Sequence, residues 1–273
     1  MSSTRSIKTL GLAGLMAVMA MMVVASVGAA SASAVEPQFY NCQKVAKATG
    51  EYPTKAACEA GEKLNEEPRE WKRAAVPAGS KIPFMSKSGV KILRSSGLLG
   101  EEVVECTADK NEGEITGPRS DTVTIKFTGC KLTKPITGAC HSTSPLGGTG
   151  EIITKKLTSK LVWLKAATTT VGLDLEGEGT EKVLAEFECA GIKVKVTGSV
   201  LGVVTPLNKM AKVFLLELKC EAGKPTKQAW TMYEEPPGTF IKDNLSANGK
   251  EACEEEVTND EITITNEAGE IRT

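Results

Sequence analysis

The sequence predicts an all-β fold, an antiparallel sandwich or barrel of many short strands preceded by a small disulfide-paired N-terminal module. Three observations predict it. After about residue 80, apolar residues alternate with polar ones at period two through much of the chain, the pattern of strands with one buried and one wet face. Gly, Pro, Asn and Asp clusters punctuate these runs, as in chains of short strands joined by turns. All eight cysteines stand at least ten positions apart. An even, well-spaced set reads as four disulfides rather than a zinc site, which would bring closely spaced pairs.

The first 34 residues read as a secretory signal peptide. Arg5 and Lys8 form a positive leader, Leu10 to Val27 run 18 residues without a charge, and Ala32-Ser33-Ala34 offers small residues at a cleavage position. That order of regions defines a secretory signal. An uncleaved anchor of this length would approach a membrane span, but the segment is rich in Gly, Ala and Ser and meets its cleavage site at once. We place cleavage after Ala34, with Ala32 as the neighbouring alternative.

Removing 34 of 273 residues leaves 239, with 31 basic side chains (33 less Arg5 and Lys8) against 34 acidic ones, a net charge of −3. The interspersed signs exclude the basic face of a nucleic-acid binder and the polybasic cluster of a membrane reader. No further membrane span is expected. The predicted location is extracellular or wall-associated, with an extracellular ligand or cell-envelope component as partner.

Residues 35–78 form the leading module. Cys42 and Cys58 bracket a short segment in which Thr54 caps a helix through Ala56, Ala57 and Glu59. Residues 79–273 form the β-rich domain. Val123, Ile125 and Phe127 alternate with threonines and Lys126, Ile192, Val194 and Val196 with lysines and Thr197, and Ile262 and Ile264 with Thr263 and Thr265. Gly113-Glu114-Ile115, Gly150-Glu151-Ile152 and Gly269-Glu270-Ile271 each read as a turn glycine opening a strand. Eight cysteines allow 105 connectivities. The shortest loops favour Cys42–Cys58 and Cys130–Cys140, which leaves Cys106–Cys189 and Cys220–Cys253 by elimination.

Phe127-Thr128-Gly129-Cys130, Cys140-His141-Ser142, Gly150-Glu151-Ile152-Ile153-Thr154, Phe187-Glu188-Cys189, Gly198-Ser199-Val200-Leu201-Gly202 and Asn208-Lys209 follow one another along the chain. In this the body resembles a family of secreted β-rich, cysteine-containing hypothetical proteins of soil actinobacteria, in which a short N-terminal cysteine pair also precedes the body. The resemblance implies export and an all-β body, and it brings no assigned activity.

Candidate chemistry is sparse. His141 is the only histidine, which removes multi-histidine metal centres. Ser142 and Ser144 lie near it, but no G-x-S-x-G elbow is present. Phosphate-cradling loops are absent and no cofactor is expected. Carboxylates are the abundant acid–base groups, and a hydrolase built from them would show two close carboxylates in a cleft, at least one with a raised pKa. No metal site is expected: Asp174, Glu176, Glu178 and Glu181 lie in a Gly-rich turn and read as solvated, with calcium, which takes oxygen ligands, as the alternative, since the D-x-D-x-D-G spacing is missing. The run Glu254-Glu255-Glu256 with Asp260-Glu261 reads as a solvated loop. Trp230 and Tyr233 are the aromatic pair best placed to face a ligand. The expected role is a non-enzymatic structural or binding protein; the alternatives are a carboxylate-dependent hydrolase and a calcium-dependent adhesive or inhibitor module.

Overall fold

The computed structural model describes residues 35–273, apart from 65–66, 98–99 and 178. The expected signal peptide, 1–34, lies outside the described residues. The chain opens with β1 (Gln38–Lys44), the short helix α1 (Lys55–Ala60) and β2 (Trp71–Ala75). Next come β3 (Ile82–Ser88), β4 (Lys91–Gly97), β5 (Gly100–Cys106), β6 (Ala108–Ile115), β7 (Ser120–Thr128), β8 (Lys131–Lys134), β9 (Gly138–Ser142) and β10 (Glu151–Ile153). The middle of the chain forms β11 (Leu157–Lys165), β12 (Thr170–Glu176), β13 (Val183–Cys189), β14 (Ile192–Thr205) and β15 (Val213–Glu217). It ends in β16 (Cys220–Glu221), β17 (Lys224–Gln228), β18 (Met232–Glu234), β19 (Phe240–Lys242), β20 (Leu245–Ala247), β21 (Lys250–Glu256), β22 (Asp260–Ile264) and β23 (Gly269–Arg272).

The antiparallel pairings close on themselves twice. One ring runs β3–β6–β7–β11–β12–β14–β15–β22 and back to β3. The other runs β4–β5–β8–β9–β13–β14–β20–β21 and back to β4. The fold is therefore a closed barrel of two rings, and closure removes the free sheet edges that an open sandwich would leave. Strand β14 belongs to both. Its first half pairs with β13 and β20, its second with β12 and β15.

Gly198 marks the crossing, at φ +96, where a Cβ would collide with the Asn244 carbonyl oxygen. The strand keeps its period through the crossing. Val194, Val196, Val200 and Val204 all join the main core, while Leu201 and Val203 face a separate outer cluster.

The leading segment is tied to the C-terminus. β1 lies between β2 and β23, in a three-stranded sheet, so a strand pairing crosses the boundary expected near residue 78. Phe39, Val76 and Ile271 reach into the main core. Thr54 caps α1 as the sequence predicts, its hydroxyl accepting from Ala57 N at 3.1 Å. Of the three glycine-led patterns, Gly150 and Gly269 stand at strand starts, whereas Gly113 lies inside β6 opposite Phe84. A Cβ there would strike the Phe84 ring.

The eight cysteines form four disulfides and none is free. Cys42–Cys58 and Cys220–Cys253 pair as expected. The other two expected pairs are incorrect: the bonds are Cys106–Cys130 and Cys140–Cys189. Cys130 and Cys140 are indeed neighbours, with Cys140 N donating to Cys130 O at 3.0 Å. Each nevertheless bonds outward, Cys130 to the end of β5 and Cys140 to its register partner on β13. Sheet order selects the partner here, and loop length does not.

Candidate functional site

The period-two alternation that builds the rings also puts polar groups inside them. On β7, Asp121 is in phase with Val123, Ile125 and Phe127 and is buried like Val123 and Phe127. Asp109 and Asn111 on β6, Ser86 on β3, and Lys91 on β4 are likewise buried. Glu254 and Glu256 share the inward parity of Ala252 on β21, and Asp260 opens β22. The run expected to be a solvated loop is thus two strands, with Glu255 turned outward to Arg94 at 3.2 Å. Glu254 and Glu256 face Lys91 or the cavity beside it, while Glu261 lies exposed near Lys87.

Three cavities follow the barrel axis. The widest of these three, about 80 Å³, lies where the rings meet, lined by Lys91, Glu254 and Asp260 among apolar side chains such as Leu93, Phe127, Leu175 and Phe187, while an open cleft of about 520 Å³ lies beside Phe84, Glu112, Glu114 and Lys156. A second of about 50 Å³ lies within the first ring, lined by Asn111, Asp121, Ser159 and Asp260 and capped by Phe39 and Ile271. A third of about 10 Å³ lies in the second ring beside Ser95 and Leu132.

Lys91 and Glu256 form an ion pair with side chains 5% and 1% exposed, and Asp260 lies 3.9 Å from the same ammonium. Asn111 Nδ2 donates to Ser86 Oγ and Asp109 Oδ2, both at 2.7 Å, and to Asp260 Oδ2 at 3.3 Å. Burial opposes charge on Lys91, but Asp260, Glu254, Glu256 and Asp109 outweigh it and hold its pKa above the usual value. The acids move the same way for a different reason. Burial pushes Glu256 up to about 8 and Asp260 up to about 6 against the pull of Lys91, and it raises Glu254 as well. One lysine faces this many carboxyls, and burial raises the pKa of all three acids beside it.

A second acidic group lies outside the barrel. Asp174 and Glu176 point outward from β12, in a strand rather than the expected turn. They meet Asp243, which follows β19, with one carboxylate oxygen from each within 4.8 Å of the others. Lys182 bridges two of them, its Nζ 2.5 Å from Glu176 and 3.6 Å from Asp243. Burial, then Asp243 and Glu176, push Asp174 up to about 7. Glu181 does not join the group: it pairs with Lys195 at 2.5 Å on the surface. Glu178 lies outside the described residues. Of the expected quartet, Asp174 and Glu176 thus come together with Asp243, a residue 67 positions beyond Glu176 that only the fold brings near.

The β18–β19 hairpin covers this outer face. Tyr233 is buried with Val162, Leu164 and Leu201, and Trp230 is half-buried against the same cluster. Lys160 Nζ sits 5.1 Å over the Tyr233 ring. Of the pair expected to face a ligand, Tyr233 is thus buried, and both pack against the barrel's outer cluster.

His141 is half-buried on β9 opposite Glu188. The Ser142 hydroxyl is spent on the Ile153 backbone, and Ser144 Oγ accepts from Lys155. No nucleophile–base pair forms among these residues. Among the described residues no helix is long and apolar enough to cross a membrane. No family model, curated protein or solved structure matches the chain.

Proposed function

We propose that the chain is an exported, non-enzymatic binding or structural protein that works outside the cell or against the cell envelope. The observation that carries this reading is the location of the acids with raised pKa. Glu254, Glu256 and Asp260 surround Lys91 inside a lumen closed by two strand rings. General acid–base catalysis needs such groups within reach of a substrate. The cavity beside these acids, about 80 Å³, is far smaller than a ligand cleft of roughly 300–1,000 Å³, and the wider open cleft of about 520 Å³ beside Phe84, Glu112 and Lys156 holds none of them. Asp174, Glu176 and Asp243 line none of the cavities described above. Four disulfides with no free cysteine support an oxidising destination, in keeping with the leader read from the sequence.

A carboxylate-dependent hydrolase is the second reading, because Glu254 and Asp260 line one cavity with both carboxyls pushed up. The test uses protein recovered from the culture medium. Its intact mass should lack residues 1–34, and incubation with envelope polysaccharides and peptides should release no product. A retained leader would contradict export. Turnover that disappears in Glu254→Gln would replace binding by hydrolysis.

A further inference from the structure

We propose that Lys91 and Glu256 condense after folding into an intramolecular amide bond that covalently ties β4 to β21. The two residues are register partners on neighbouring antiparallel strands. Lys91 Nζ is in direct contact with Glu256 Oε1, and the two side chains are sealed from solvent, at 5% and 1% exposure. Holding an amine against a carboxyl in this way replaces a bimolecular encounter by a unimolecular step.

The surroundings favour a neutral product. Apolar side chains such as Leu93, Val104 and Leu218 line the cavity beside Lys91, where two full charges are costly to keep. The carboxyls around Lys91 favour its ammonium, so the pair is ionic when the chain first folds, and bond formation follows. Passing one proton from Nζ to Oε1 leaves an amine beside a carboxylic acid. Burial lifts the Glu256 carboxyl to about 8, which populates that acid form near neutral pH.

The reacting atoms have the partners that a condensation needs. The amine attacks Glu256 Cδ, forming the C–N bond while the electrons of the C=O bond move onto Oε2. Asp260 N donates to Oε2 at 2.9 Å and so holds the negative charge as it develops. Asp260 Oδ2, 3.9 Å from Nζ, takes the proton that nitrogen sheds and passes it to Oε1. The Cδ–Oε1 bond breaks, Oε1 leaves as water, and the carbonyl re-forms on Oε2. Nothing is oxidised or reduced, and no co-reactant enters. The adjoining cavity of about 80 Å³ has room for the released water.

Strand β4 is the earliest strand of the second ring along the chain and β21 the latest. The bond therefore locks that ring at the seam where its two ends meet, across 165 positions of sequence. It forms once per molecule and without turnover, so it adds to the non-enzymatic reading and does not rest on it.

The intact mass of the purified mature chain, denatured and fully reduced, tests the proposal. The native chain is expected to lack the mass of one water relative to its sequence. A tryptic map should show residue 91 linked to residue 256, with no cleavage after Lys91. Lys91→Met should restore the full mass. Glu256→Gln keeps the electrophilic carbonyl and sheds ammonia in place of water, so it should converge on the native mass and the same link. Asp260→Asn keeps the backbone donor but loses the proton carrier, and should leave most of the chain unlinked. A native chain at its full sequence mass, with the circular dichroism of a folded β protein, would overturn the proposal. A water loss that maps to any other pair, or that persists in Lys91→Met, would overturn it too.

Discussion

Glu256 and Lys91 face each other across the β21–β4 ladder as register partners, and both side chains are sealed inside the barrel. The lysine serves Asp260 as well, at 3.9 Å, and it acts on Glu254. The acids therefore depend on Lys91 more than Lys91 depends on any one acid.

That asymmetry makes an ordered prediction. Lys91→Met strands several buried carboxyls and should cost about 3–5 kcal/mol, the usual loss when one partner of a buried pair is removed. Glu256→Gln leaves Lys91 two other acids and should cost clearly less. The double variant Lys91→Met/Glu256→Leu should recover part of the single loss. Urea denaturation at neutral pH measures all three. Equal costs for the two single variants would contradict the shared role of Lys91.

Stability should fall as pH rises from about 4 to about 6. Asp121 is buried with no cation beside it and only Ser159 Oγ donating, at 2.5 Å, and burial lifts its carboxyl from the usual 3.8 to about 6. The folded chain then holds this proton more tightly than the unfolded chain. The stabilisation is full below the unfolded pKa and is lost as pH rises through the folded one. Asp260 acts in the same sense. A shift of about two units is worth roughly 3 kcal/mol. Asp121→Asn should therefore flatten the slope, gaining about 2 kcal/mol at pH 8 and nearly nothing at pH 4. Thermal melts across this range read the slope directly, and a slope unchanged by the substitution would remove Asp121 as its source.

Gly198 should tolerate no side chain. It combines φ +96 with a close approach to the Asn244 carbonyl at the point where β14 leaves one ring for the other. Gly223 has a similar positive φ, +77, but open space around it. Gly223→Ala should cost about 1 kcal/mol from backbone conformation alone, and Gly198→Ala about 3 kcal/mol or more. Similar losses at the two positions would mean that the crossing is less crowded than its geometry indicates.

The local patterns in the sequence translate well into structure. The alternation of Val123, Ile125 and Phe127 is a strand with its apolar face inward, and Thr54 is a helix cap. Polar residues in phase with such faces carried the information that was missed. Asp121 continues the inward series of β7, and Glu254 and Glu256 continue that of Ala252, yet a run of acids in isolation looks solvated. Long-range order was beyond reach for a different reason. Asp243 joins Asp174 only because the β18–β19 hairpin folds back over β12, and Cys140 finds Cys189 only because β9 lies beside β13. Neither adjacency leaves a trace in spacing along the chain.

The most direct test of the closed, disulfide-tied double ring is a non-reducing peptide map of the protein recovered from the medium. The Cys140–Cys189 and Cys106–Cys130 links form only if β9 sits between β8 and β13 and β5 sits beside β8. These two linked peptides are expected, with Cys42–Cys58 and Cys220–Cys253, and no alkylation before reduction. A Cys130–Cys140 peptide, or free thiols at these positions, would contradict the second ring and the oxidising destination together.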